Sequence, residues 1–190
     1  MNISLATHYF KDEFDLVQGC KDRIPAAQSA LYKQYGKSLL ILCMRYVGNE
    51  EDAKELLTDS FVAAFAGINK FEYLGAGSLQ AWLKRIAINQ CLMQLRKRNL
   101  HFQELKESDE GAATAQEDVI AQLSAREIML LIHNLPPGYR TVFNLYVFEE
   151  MPHKEIALLL GISESTSKSQ LFKARLLLQK QVLQAQKSIL

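Results

Sequence analysis

MPHKEIALLLGISESTSKSQLFKARLLLQK, from Met151 to Lys180, decides the fold of the C-terminal part of this 190-residue chain. It reads as two short helices joined by a tight turn, the second carrying most of the polar and basic groups. Pro152 suits a first helical position, where its locked φ and missing N–H cost nothing. Ile156, Ala157 and Leu160 give the first helix a short apolar face. Gly161 supplies the positive φ that stops a helix, and Ser163 offers a hydroxyl to cap the next one. The second helix sets Leu171, Ala174 and Leu178 on one side and Ser165, Thr166, Lys168, Ser169, Gln170, Lys173 and Arg175 elsewhere. A helix–turn–helix of this pattern lays its second helix in the DNA major groove.

Upstream of this pair, Leu135-Pro136-Pro137-Gly138 interrupts a helical pattern, because a residue before proline is pushed out of the helical region. One helix follows it to about Phe148, and another precedes it through Val119, Leu123, Ile128, Leu131 and Ile132. From Asn99 to about Glu117 the periodicity lapses among Glu104, Glu107, Asp109 and Glu110, which reads as a flexible acidic linker. Earlier still, Ile24, Ala27, Leu31, Tyr35, Leu39, Leu42 and Tyr46 recur every three or four residues and make a long amphipathic helix. Val47-Gly48-Asn49 breaks it. Glu50 to Phe65 forms the next helix, with Ala53, Leu56, Leu57, Phe61, Ala64 and Phe65 on its apolar side. A loop from Asn69 to Gly77 leads to Ser78, expected to cap a helix running to about Arg98. The architecture is all-α: two small helical domains, 1–98 and 119–190, joined by a linker over 99–118.

Hydrophobic residues make up 48% and charged residues 23% of the chain, a balance that supports real cores. The net charge of +1 hides segregation along the sequence. Acids gather at Glu50, Glu51, Asp52, Glu55 and Asp59, and again between Glu104 and Asp118. No acid occurs between Lys84 and Arg98, a stretch that also holds Arg85, Arg96 and Lys97, and a second basic set runs from Lys168 to Lys187. Faces of opposite sign suit a protein that meets both a polyanion and a basic partner. Cys20, Cys43 and Cys91 are widely spaced and show neither metal-ligand spacing nor a disulfide framework, as expected of small core side chains in a reducing cytosol. No secretory signal is legible, and the most apolar run, Leu39 to Met44, is far too short to span a bilayer. No cofactor or metal is expected: there is no phosphate-cradling glycine loop, and His8, His101, His133 and His153 lie far apart.

Two separated stretches resemble the sigma-70 family of bacterial RNA polymerase sigma factors, most of all its compact extracytoplasmic-function group. Asp52-Ala53-Lys54-Glu55-Leu56-Leu57-Thr58-Asp59-Ser60-Phe61 is similar to the family's D-A-E-D-L-x-Q-E-x-F helix. Leu79-Gln80-Ala81-Trp82-Leu83-Lys84-Arg85-Ile86-Ala87-Ile88-Asn89 resembles its F-x-x-W-L-x-R-I-A-x-N helix. Leu135-Pro136-Pro137, Glu155-Ile156-Ala157 and Leu160-Gly161-Ile162-Ser163 resemble L-P-x…E-I-A-x-x-L-G-I-S. A helix–turn–helix alone is shared by many regulators; the tryptophan helix, in this order and at domain-scale distance, is what makes the match specific. The chain departs from the family pattern at Lys54, Thr58, Ser167, Gln170 and Phe172, and in a longer loop before Ser78.

The resemblance implies a σ2-like domain, a linker and a σ4-like domain, with three surfaces. Asp52, Glu55, Leu56, Asp59 and Phe61 would dock on the clamp of the polymerase's largest subunit, where acids against a basic face give steering and register. Leu56 and Phe61 read equally as core. Lys70, Phe71, Tyr73, Ser78, Trp82, Lys84, Arg85, Asn89, Arg96, Lys97 and Arg98 would handle the minus-ten promoter element, since opened bases stack on aromatics while cations track the backbone. Trp82 also sits at core spacing with Leu79, Leu83 and Ile86, and Asn89 would equally satisfy a buried helix end. Ser165, Thr166, Lys168, Ser169, Gln170, Phe172, Lys173 and Arg175 would meet the minus-thirty-five element, with Gln170 suited to pair bidentately with adenine. The implied partners are core polymerase (clamp and the flap of the second-largest subunit), promoter DNA and an anti-sigma factor, in the cytoplasm, with no catalytic activity and no membrane insertion.

Two other classes compete. A stand-alone helix–turn–helix regulator would bind DNA tightly without polymerase, and leaves the basic, aromatic helix around Trp82 unexplained. A helical protein-interaction module would show no salt-sensitive binding to nucleic acid.

Overall fold

In a computed structural model of the protein, residues 10–97 and 125–187 are described. The expected linker, Arg98, Val119 and Leu123 lie outside them. The chain divides into two compact units after Lys97, and among the described residues every regular element is helical.

The first unit holds α1 (Glu13–Lys21), α2 (Pro25–Val47), α3 (Glu50–Gly67) and α4 (Ser78–Lys97), with a short 3-10 turn at Ile68–Lys70. Helix α2 packs against α1, α3 and α4, and α3 packs against α4. Most residues read at helical period form this core: Ala27, Leu31, Tyr35, Leu39, Leu42 and Tyr46 from α2, Ala53, Leu56, Leu57, Phe61 and Ala64 from α3; Ile24 instead precedes α2 and is exposed. Helix α4 adds Leu79, Leu83, Ala87, Ile88, Leu92 and Leu95, and α1 adds Leu16 and Val17. Removing such surfaces from water is worth about 25 cal/mol per Å², which outweighs weak local propensity. Gly48, at φ 82°, ends α2, and Asn49 starts α3 by accepting the Asp52 N–H at 2.8 Å. Cys20, Cys43 and Cys91 are buried free thiols, and Cys43 of α2 and Cys91 of α4 shift one another's titration.

The start of α4 differs from expectation. Ser78 is the helix's first residue rather than its cap. Its hydroxyl turns back into the loop, donating to the Gly75 carbonyl at 2.7 Å and accepting the Leu74 N–H at 3.3 Å. The cap comes from another element: Glu13 on α1 accepts the Gly77 N–H through Oε2 and the Leu79 N–H through Oε1, both at 2.8 Å.

The second unit holds α5 (Ala125–His133), α6 (Pro137–Phe143) running on into a π-helical turn (Asn144–Phe148), α7 (His153–Leu160) and α8 (Glu164–Lys187). Helix α8 packs against α5, α6 and α7. Ile132, Leu135, Tyr139, Val142, Leu145, Ile156, Leu160, Leu171, Ala174 and Val182 are buried, and Leu178 packs onto the Leu135–Tyr139–Ala174 cluster. Buried Arg140 donates through Nη1 to the His133 carbonyl at 2.9 Å, satisfying the end of α5. Pro152 sits one place earlier than expected. It is the extended residue before α7, at φ −68° and ψ 149°, and its carbonyl accepts the Glu155 and Ile156 N–H groups.

Candidate nucleic-acid and polymerase surfaces

The α7–α8 pair is the helix–turn–helix expected from its sequence. Gly161 adopts φ 69°, its N–H and that of Ile162 both donate to the Ala157 carbonyl, and α7 stops there. Ser163 accepts the Thr166 N–H at 3.0 Å, and its hydroxyl also pairs with those of Ser165 and Thr166 at 2.8 and 2.7 Å. Along α8 the inward stripe is Ser167, Gln170, Leu171 and Ala174; the outward stripe is Ser165, Lys168, Phe172 and Arg175, spaced at three and four residues. Ser169 is exposed too, while Thr166 and Lys173 are half-buried. Lys168 pairs with Glu164 at 2.7 Å, both side chains well exposed.

Gln170 is the correction on this helix. It is 4% exposed and its Oε1 meets no donor, so it does not offer an amide to a base edge. Its place, three residues after Ser167 and four before Ala174, turns it inward. A side-chain layer missed in the sequence lies beside it: the His153 ring stacks on Tyr146 at 4.5 Å, and its Nδ1 hydrogen-bonds Ser167 Oγ at 2.9 Å. The Arg175 guanidinium lies 5.8 Å from the centre of the same Tyr146 ring. A histidine at a helix start, seven residues from Tyr146 and fourteen from Ser167, gave no local signal of this.

On the first unit, Glu55 and Asp59 are exposed one turn apart on α3, with Asp52 half-buried behind them and exposed Val62 continuing the stripe. The first turn of α3 carries three acids, which its dipole favours. Lys54 pairs with Glu50 at 2.7 Å and holds the Glu50 carboxyl below its usual range. Leu56 and Phe61 are core instead: they are 3% and 4% exposed, and the Phe61 ring lies 4.8 Å from that of Tyr32.

The loop before α4 is tied at its base and open at its tip. Phe71 is buried and its ring packs, tilted, against that of half-buried Trp82 at 4.8 Å, so both brace the loop. Tyr73 meets Phe14 of α1 edge-on at 5.5 Å. Gly75 and Gly77 have φ of 116° and 85°, and a side chain at either would meet nothing within 4 Å. Leu74 is 84% exposed at this tip. A large apolar residue just ahead of two glycines was the available sign, and it was missed. Along α4, Arg85, Asn89, Met93 and Arg96 are exposed at helical spacing, so Asn89 faces outward and does not satisfy a buried helix end. Lys70 and Lys97 are also exposed and Lys84 is half-buried. Arg98 lies outside the described residues.

Among the described residues, no group of three or more His, Cys, Asp or Glu is placed to hold a metal ion. Nor is any helix there long and apolar enough to cross a membrane.

Residues 31–100 match the family described as "Sigma-70 region 2", and residues 125–178 match "Sigma-70, region 4". The chain is 31% identical over 156 residues to the RNA polymerase sigma factor YlaC of Bacillus subtilis, covering 79% of this chain and 88% of that one. It is 25% identical over 150 residues to the ECF RNA polymerase sigma factor SigM of the same organism, covering 76% and 88%. It is equally similar over 150 residues to the ECF sigma factor SigE of Mycolicibacterium smegmatis, but spans only 57% of that protein's length. A solved structure of CnrH in complex with the cytosolic domain of CnrY superposes with a TM-score of 0.49 at 22% identity, covering 90% of this chain and 96% of that one.

Proposed function

From the premise that this chain belongs to the sigma-70 family, in its extracytoplasmic-function group, we propose that its two units divide promoter recognition between them. The chain is a sigma factor that directs transcription initiation, and the chemistry of RNA synthesis belongs to core polymerase. In the second unit, Lys168 and Arg175 lie where they can meet phosphates on either side of a major groove, with Ser169 and Phe172 between them and Ser165 one turn before Lys168. Phosphate neutralisation supplies most of the affinity and makes it salt-dependent, while the uncharged side chains carry the choice of sequence. Phe172 suits a thymine methyl. In the first unit, Arg85, Asn89 and Arg96 track the opened strand along α4, and the loop tip around Leu74 meets an unstacked base of the minus-ten element. Glu55, Asp59 and Asp52 form the polymerase-docking stripe, and Leu56 and Phe61 support it from inside.

The observation that carries this reading is the outward stripe Ser165–Lys168–Phe172–Arg175 on the second helix of a capped helix–turn–helix, in a chain whose other unit exposes a cationic stripe of its own. We further infer a cytoplasmic location, where polymerase works. An anti-sigma partner would cover the same surfaces until a signal releases them. Segment 99–118 would thread the polymerase cleft, its acids standing in for nascent RNA.

Run-off transcription with purified bacterial core polymerase on a promoter library tests the whole. New start sites that depend on this protein and share two spaced elements are the expected result. Tight, specific DNA binding by the protein alone, with no new starts from active core, would instead make it an independent regulator.

A further inference from the structure

The loop 71–78 is built to be conformationally free, yet it is held. Gly75 and Gly77 both take positive φ in open space, and glycine gives the chain many alternatives there. A loop that is to select one base must present one shape before the base arrives, because ordering it on binding subtracts from affinity. Its internal tie, through the Ser78 hydroxyl to Leu74 and Gly75, closes a turn but does not fasten that turn to the domain. Beyond the Phe71–Trp82 ring contact at its base and the backbone bonds at its two ends, from Phe71 N–H to Ile68 and from Ala81 N–H to Gly77, the fastenings come from two consecutive residues of α1. The Glu13 carboxylate accepts the Gly77 and Leu79 N–H groups, 64 and 66 residues away, and Phe14 meets Tyr73 edge-on. Helix α1 also packs on the Ile68–Lys70 turn from which the loop departs. After burial, the charges of Glu13 and then Asp12 hold the Tyr73 phenol above its ordinary value.

The carboxylate has two effects. It satisfies backbone N–H groups that the start of α4 leaves unpaired, and a negative charge there is favoured by the helix dipole. It also fixes the backbone on both sides of Ser78, so the exit direction of the loop from α4 is set from α1. We propose that Glu13 is a positioning residue for minus-ten selection: by holding Gly77 and Leu79 it fixes the conformation in which loop 71–78 meets the opened base. This rests on the reading that the loop meets that base.

The test is run-off transcription with core polymerase and the full chain, on promoters varied one base at a time in the minus-ten element and, separately, in the minus-thirty-five element. Glu13→Ala removes both acceptors; Glu13→Gln is nearly isosteric but leaves one carbonyl acceptor and no charge. The expected result is a fall of about tenfold in the best-to-worst ratio across minus-ten bases for Glu13→Ala, and a smaller fall for Glu13→Gln. The minus-thirty-five ratios should not move. A role only in folding would lower output from every promoter by a common factor and leave both sets of ratios unchanged, which would overturn the proposal. If Glu13→Ala does not fold, the ratio for Glu13→Gln decides by the same criterion. The double variant Tyr73→Ala, Leu74→Ala separates the two failures. An altered minus-ten profile in it, with unchanged ratios in the Glu13 variants, rejects Glu13 alone; an unaltered profile rejects the loop's role and the proposal with it.

Discussion

The surroundings of His153 favour its neutral imidazole. Burial lowers its pKa from 6.5 first, the Lys168 charge lowers it further, Glu164 opposes, and Arg175 adds a small lowering. Below pH 6.5 the unfolded chain therefore binds a proton on this residue more readily than the folded chain does, so stability falls as pH falls through the native value. Protonation also adds a cation among Lys168 and Arg175. Thermal melts followed by circular dichroism at about pH 7.5 and about pH 5.5 should show the midpoint falling with acid, and His153→Asn should flatten that fall. An unchanged pH slope in His153→Asn would remove the linkage. At this scale the sequence was read well for side chains whose face follows from local spacing, such as Lys168 and Arg175. It was read poorly for Gln170, whose chemistry suits a base edge but whose angular position on α8 turns it into the core. Residue type suggested contact; the helical period, applied one residue at a time, argued against it.

The elements were legible because each carries its own signals. Helix α2 runs from the proline at its start to the left-handed Gly48 that ends it, and α3 from its Asn49 cap and acidic first turn. The turn between α7 and α8 is another such local instruction. Gly161 holds φ 69° and ψ 36°, where a Cβ is strained even though nothing stands within 4 Å of it. Gly161→Ala should cost about 1 kcal/mol, a drop of roughly 4–8 °C in the melting midpoint of a unit this size. Differential scanning calorimetry checks it, and a midpoint equal to the parent's would mean that the turn has a second conformation open to alanine. What no local signal announced is the cap of α4. The serine that spacing nominated is occupied within its own loop, and the true acceptor stands 66 residues upstream on α1. Tertiary capping leaves no trace in a window of sequence, since neither partner is unusual where it stands.

Across the whole molecule, the division into two units after Lys97 sets the logic of binding. Each unit offers a modest stripe of contacts, and neither stripe alone suggests tight recognition. A covalent connection makes the second engagement intramolecular, which can raise overall affinity by about 10²–10⁴-fold without a new contact. Cutting the chain within 99–118 and supplying both halves together should therefore weaken promoter-specific initiation by about 10²-fold or more, even with each half folded. Titrating the halves against core polymerase and promoter in run-off assays measures this. Full activity from equimolar severed halves would show that polymerase, not the connection, holds the units together.

The thiols suggest a practical use. Cys20, Cys43 and Cys91 are each 0–1% exposed. Burial pushes the Cys20 thiol up to about 11; beside one another, Cys91 is pushed upward and Cys43 downward, but both are buried. Alkylating reagents attack the exposed thiolate, so the parent chain is close to invisible to maleimides at neutral pH. A single cysteine placed at Ala76 on the loop tip or at Ser169 on α8, both exposed, would then accept one dye or spin label with no native cysteine removed. The two proposed DNA-facing surfaces can be watched one at a time, in a background whose native thiols are buried.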